Sequence, residues 1–111
     1  MSRAEGTWGE AQVANFLRRR GYQLLAHSYH CRFGEVDLIA RQGSMLCFVE
    51  VKTRTSDAYG RPSEAVVSAK QRRYRRIAQF YWLETGKETN ARFDVVEVWA
   101  DGKVEHYKYA F

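Results

Sequence analysis

The chain has 111 residues and, at that length, supports one domain over 1–111 rather than two. Hydrophobic residues make up 45% and charged residues 28%, enough apolar surface to offset chain ordering and exclude wholesale disorder. Eighteen Lys and Arg against thirteen Asp and Glu leave a net charge of +5, which favours polyanionic partners without choosing between nucleic acid and acidic lipid.

The first periodic segment runs from Ala4 to Arg20. Val13, Ala14, Phe16 and Leu17 recur at helical spacing, Arg18-Arg19-Arg20 suit a helix C-terminus, and Gly21 ends the segment. Three β-like runs follow, at Tyr22–Ser28, Phe33–Arg41 and Met45–Thr53. Gly43-Ser44 between the second and third suits a type II′ hairpin turn, with glycine at the first central position. Arg54–Arg61 reads as an exposed loop, and Pro62-Ser63 opens a helix that extends to about Glu84, with Gly86 at its exit. Val67, Tyr74, Ile77, Ala78 and Tyr81 form its apolar stripe. Two last runs, Arg92–Trp99 and Val104–Tyr109, flank Asp101-Gly102, a favoured hairpin turn. The order helix, three strands, helix, two strands predicts an α/β sandwich, a mixed central sheet flanked by helices.

No apolar stretch is long enough for a membrane span, and Met-Ser-Arg-Ala-Glu-Gly lacks the apolar core of a secretory signal; the expected location is cytoplasmic. Cys31 and Cys47 fit neither a disulfide framework nor a close-spaced metal site and are expected to be free thiols. No phosphate-binding glycine loop occurs, which argues against a nucleotide-binding enzyme. His27, His30 and His106 have no zinc spacing, and Trp8, Trp82 and Trp99 suit a core or an interface.

Charges interrupt the apolar strands at Glu35, Asp37, Glu50 and Lys52. A two-residue turn at Gly43-Ser44 pairs Gln42 with Met45, which puts Asp37 opposite Glu50 and Glu35 opposite Lys52, on one sheet face. Two opposed carboxylates repel unless a proton or cation lies between them, a geometry that suits Mg²⁺ or Mn²⁺. Asp37, Glu50 and the carbonyl of Val51 would be the metal ligands, and Lys52, beside a metal-bound water, a catalytic cation that orients the attack or neutralises charge developing on the phosphate. The plainer alternative is a structural salt-bridge cluster, with Glu35 an ordinary partner of Lys52.

Asp37 followed thirteen residues later by Glu50-Val51-Lys52 resembles the PD-(D/E)XK nuclease signature, with Val36 in the place of the motif's proline. Gly34-Glu35-Val36-Asp37-Leu38-Ile39-Ala40, Phe48-Val49-Glu50-Val51-Lys52-Thr53-Arg54 and Arg92-Phe93-Asp94-Val95-Val96 look like the YraN family of small nuclease-like bacterial proteins, over nearly the whole chain. That family is similar to archaeal Holliday-junction resolvases. The resemblance implies a restriction-endonuclease-like sandwich and a metal-dependent endonuclease acting on DNA, branched or structured forms included. It also implies a metal-site glutamate on the first helix, Glu10 with Glu5 as fallback, a basic residue on the second helix, Lys70, that reaches the scissile phosphate, and a homodimer as a candidate assembly.

Lys70-Gln71-Arg72-Arg73-Tyr74-Arg75-Arg76 places five cations in seven residues, and Lys70, Arg72, Arg73 and Arg76, with Arg54, are the candidate nucleic-acid contacts. A solvated helix face is the bland alternative. Two readings rival the enzyme: a DNA- or RNA-binding module that keeps the fold without turnover, and a scaffold that pairs through its Trp and Tyr residues.

Overall fold

The computed structural model describes residues 7–54 and 64–111. Helix α1 (Thr7–Arg19) leads into β1 (Gln23–Cys31), β2 (Gly34–Gln42) and β3 (Met45–Arg54), then α2 (Glu64–Thr85), β4 (Ala91–Trp99) and β5 (Val104–Tyr107). The strands form one sheet in the order β1-β2-β3-β4-β5. β3 and β4 are parallel and the other neighbours antiparallel, so the sheet is mixed as expected. The parallel pair follows from chain order, because β3 reaches β4 only through the crossover that carries α2.

Each helix packs on its own face of the sheet. Val13, Phe16 and Leu17 of α1 meet Leu38, Ala40, Cys47, Val49, Val96 and Val98; Tyr74, Ile77 and Ala78 of α2 meet Val36, Ile39, Leu46 and Phe48. Cys47 with Phe48 and Val49, alternating between the two clusters, show β3 buried on both sides. Burying each such Leu, Ile, Val or Phe contributes about 1.5–3 kcal/mol.

Turn chemistry closes the elements. Gly21, at φ 87°, takes the left-handed position after α1, and Tyr22 N–H donates to Leu17 O at 3.0 Å. Gly43 has φ 59°, as the first central residue of a type II′ turn requires. The β4–β5 connection differs from the two-residue Asp-Gly turn expected. Gly102 N–H donates to Trp99 O and Trp99 N–H to Lys103 O, both at 2.8 Å, so Ala100, Asp101 and Gly102 form a three-residue loop. Gly102 at φ 92° supplies its left-handed residue, and Asp101 Oδ1 accepts from Lys103 N–H at 2.9 Å.

Candidate active site

The β2–β3 hairpin keeps the register read from the sequence from Gln42↔Met45 to Leu38↔Val49, and there the ladder stops. The next hydrogen-bonded pair would be Val36 with Val51. Instead Val51 N–H donates to Asp37 Oδ2 at 2.8 Å, so the Asp37 carboxylate fills the place of a strand partner. The expected face-to-face pairs Asp37–Glu50 and Glu35–Lys52 do not form; Glu35 pairs with His30 of β1, 3.9 Å from its side chain. The N–H and C=O of one strand residue point to the same edge, so the Val51 carbonyl also faces the gap where β2 and β3 part.

The parting has a local cause. Ser28 in β1 has φ 50°, a left-handed conformation that costs a residue other than glycine of order 1–3 kcal/mol. Pairing of β1 with β2 passes from His27↔Leu38 to Tyr29↔Val36, leaving Ser28 and Asp37 opposite one another outside the ladder. Across this kink the side chains change face: Leu38 and Ala40 pack under α1, whereas Val36 packs under α2. The sequence-based strand ended at Ser28, where the structure has the kink; β1 then continues to Cys31.

Glu10 of α1 is brought to this point. It is buried, at 5% exposure, on the helix face that also carries Val13, Ala14 and Leu17, and it accepts a hydrogen bond from Ser28 Oγ at 3.4 Å. Gly9 permits the close approach: a Cβ there would lie 2.8 Å from Thr53 Oγ1 and 3.6 Å from side-chain carbons of Val51 and Val98. The fallback, Glu5, lies outside the described residues. Burial pushes the Asp37 carboxyl above its ordinary range. The Val51 N–H opposes that rise, and the negative charges of Glu10, Glu50 and Glu35 add to it. Asp37 in the sheet plane thus senses a carboxylate from the α1 face and another from the α2 face.

Glu50 lies on the α2 side among cations. Lys70 Nζ donates to both its oxygens, at 2.9 and 2.7 Å, and Lys52 Nζ is 2.9 Å from Oε2. Burial alone would raise the Glu50 carboxyl; the hydrogen bonds from Lys70 and Lys52 hold it below its ordinary range. Tyr74, one turn after Lys70, is buried, and burial together with the charges of Glu50 and Asp37 pushes its phenol up. Phe111 flanks both residues, its ring 5.2 Å from that of Tyr74 and 6.0 Å from Lys70 Nζ. Asp37, Glu50, Lys52, Lys70, Val51 and Glu10 are therefore brought to one end of the sheet. Among the described residues, no three His, Cys, Asp or Glu side chains converge as a ready-made metal-ligand set, since Glu50 is turned to its lysines and Asp37 to Val51.

The candidate nucleic-acid contacts divide. Arg54 is held by Glu97 of β4 through Nε at 2.9 Å and a terminal nitrogen at 2.8 Å, a two-pronged pair set by the Arg54↔Trp99 and Lys52↔Glu97 register. Arg72, Arg73 and Arg76 are exposed on α2. The expected loop beyond Arg54 falls on residues 55–63, outside those described, as does the Pro62-Ser63 helix start. Cys31 and Cys47 are free thiols.

A second polar cluster went unread in the sequence. Asp94, fully buried on the α1 face of β4, accepts from Arg92 Nε and a terminal nitrogen at 2.9 Å each, from Tyr109 N–H at 3.1 Å, and bonds His106 Nε2 at 2.7 Å. Arg92 also donates to the Tyr22 hydroxyl at 2.8 Å. Burial pushes the Asp94 carboxyl up, but His106 and Arg92 outweigh it and hold it below its ordinary range. The alternation Arg92, Asp94, Val96, Val98 marks these positions as inward, the one signal available beforehand.

Fold and site define a small α/β protein whose mixed five-stranded sheet, with a helix on each face, gathers carboxylates and lysines where two strands part. Residues 9–98 match the profile described as "Uncharacterised protein family UPF0102", and the chain belongs to that family. It is 52% identical over 99 residues to a UPF0102 protein of Symbiobacterium thermophilum, covering 88% of this chain and 84% of the relative. A UPF0102 protein of Caldicellulosiruptor saccharolyticus is 45% identical, over 90% and 86%. One of Geobacter metallireducens is 41% identical, over 96% and 90%. Among the described residues no helix is long and apolar enough to cross a membrane.

Proposed function

We propose that the protein is a metal-dependent endonuclease that hydrolyses phosphodiester bonds in DNA, branched or structured forms included, on a restriction-endonuclease-like sandwich. The observation that carries the reading is the parting of β2 and β3 at Asp37, which sets a carboxylate raised by burial and by three like charges beside a lysine-bearing glutamate. Such an excess of negative charge around Asp37 fits a divalent cation. Asp37, Glu10, Glu50 and the Val51 carbonyl are the groups that would hold Mg²⁺ or Mn²⁺. When bound, the ion supplies Lewis-acid chemistry, neutralising phosphate charge and activating water.

The remaining roles belong to the chain. Lys52, with 38% of its side chain exposed, bridges Glu50 and solvent, where it can orient a phosphate and neutralise charge that develops on it. Lys70 supplies a second cation from α2, 2.7 Å from the same Glu50 oxygen. Val51 N–H fixes Oδ2 of Asp37 at 2.8 Å and so holds the carboxylate at the parting of the strands.

A second reading has its own support. Because Glu50 already carries two ammonium groups and no three carboxylates converge among the described residues, a nucleic-acid-binding module without turnover fits the same arrangement. The two separate by incubating wild type and Asp37→Ala with labelled linear, flap and four-way-junction DNA, in Mg²⁺, Mn²⁺ or chelator. The enzyme reading expects cuts that need both the divalent ion and Asp37. Wild-type protein that binds DNA without cutting it leaves the binding module.

A further inference from the structure

Taking the nucleic-acid reading as its basis, we infer that the phosphodiester backbone leaves the site along the seam between α2 and the β1–β2 turn, with Arg73 and Arg32 as its phosphate contacts, and not across β4 and β5. The seam is a built contact. Gly34, at φ 140°, lets Arg73 lie against the turn: a Cβ at Gly34 would meet Arg73 Cδ at 3.0 Å and Ile77 Cδ1 at 3.5 Å. Two turns further along α2, Phe80 meets Phe33 of the same turn, ring centroids 6.3 Å apart, and the Arg32 guanidinium lies over the Phe33 ring at 5.1 Å. Packing thus orders two arginines whose side chains remain exposed.

Helical geometry then separates the α2 cations. With about 100° per residue, Arg73, Arg76 and Phe80 share the flank that faces the turn, whereas Arg75 falls on the opposite flank. Lys70, at the site, stands one turn before Arg73. From Lys70 to Arg76 the helix rises about 9 Å, roughly three nucleotides of a strand at 3.4 Å each.

Charge on the two sides of the site differs. Towards β4 and β5, Arg54 is matched by Glu97, and Lys103 by Glu105 at 3.9 Å while its ammonium lies over Trp99 at 5.3 Å; Lys108, after β5, is the exposed cation of that side without an ion pair among the described residues. Towards the turn, no ion pair among the described residues engages Arg32, Arg73 or Arg76. Glu35, beside Gly34, faces His30. A phosphate arriving at the seam meets arginines that need not first be freed from a carboxylate, whereas one crossing β4 and β5 meets Glu97 and Glu105.

The test is binding of a short labelled DNA duplex in chelator, by fluorescence anisotropy across a salt series, so that cleavage plays no part. Arg32→Ala/Arg73→Ala is compared with Arg18→Ala/Arg75→Ala, which removes the same charge from the other face of the sheet and from the far flank of α2. Each phosphate contact adds about 0.9 to the slope of log affinity against log salt, so the seam variant loses about 1.8 of slope. The ratio of wild-type to variant affinity should then change by about twelve-fold between roughly 50 and 200 mM salt. The control variant keeps its slope. Equal losses in both variants, or a loss confined to the control, overturn the seam while leaving DNA binding intact. No binding by the wild type removes the nucleic-acid reading itself.

Discussion

Replacing Asp94 by Asn should destabilise the fold by about 3–5 kcal/mol, the range for removing one charge from a buried pair. Asn fills nearly the same space and can still accept one bond, so the loss is electrostatic. Arg92, only 5% exposed, would keep a neutral partner and the Tyr22 hydroxyl among its hydrogen-bond acceptors, and the bonds from His106 and Tyr109 N–H would weaken. A small domain has about 5–15 kcal/mol in total, so the variant loses a large part of its stability, and at roughly 4 °C per kcal/mol its melting temperature falls by about 12–20 °C. Because the Asp94 carboxyl is held below its ordinary 3.8 when folded, its contribution is complete above that pH and disappears as pH falls through the folded value. The wild type should therefore lose its advantage over the variant in acid. Urea unfolding of wild type, Asp94→Asn, Arg92→Met and the double variant at neutral pH measures the coupling. The double variant should be more stable than the sum of the singles by about 2 kcal/mol or more. Additive losses would refute a buried pair as the source of the stability.

Asp37→Asn should behave in the opposite way. Its carboxyl is raised by burial and by its neighbours, so the charged form opposes folding above that raised value and the opposition fades as pH falls. In chelator, the Asn variant should melt at or above the wild-type temperature at pH 8, with the gap closing towards pH 4; a variant less stable at pH 8 contradicts this. Arg54→Ala should lower stability by about 1–2 kcal/mol through the loss of the Glu97 pair and change the salt slope of DNA binding by less than about 0.5. Gly9→Val should destabilise by about 1–3 kcal/mol by wedging α1 off Thr53, and thermal melts would show no loss if the helix can ride further out.

The sequence made the hairpin register legible because a two-residue turn at Gly43-Ser44 fixes the pairing once the strand faces are known, and Leu38↔Val49 follows by counting. Counting fails at Asp37. The left-handed backbone at Ser28 has no compositional signal, and it is this kink that turns the Asp37 carboxylate into the sheet plane. Glu10 was legible only through the family resemblance, which left Glu5 as the fallback; its shared helix face with Val13 and Leu17 and the Gly9 contact that brings it close are tertiary facts. Arg54 looked like a free loop cation because its partner, Glu97, lies across a parallel pairing 43 residues away in sequence. The Asp94 cluster was hidden for the same reason: Tyr22, Arg92, His106 and Tyr109 meet only when β5 pairs back along β4.

Cleavage by Lys52→Ala, at DNA concentrations where it and the wild type are equally bound, bears most directly on the enzymatic reading. The Lys52 pair with Glu50 is partly exposed and contributes at most about 1 kcal/mol to stability, so the variant should fold and bind as the wild type does. The wild type should make Mg²⁺- or Mn²⁺-dependent cuts, and the variant should cut at least about a hundred-fold more slowly, the scale of losing one charge-stabilising donor. Cutting at the wild-type rate would contradict it, because a lysine dispensable for hydrolysis is a structural partner of Glu50 and nothing more.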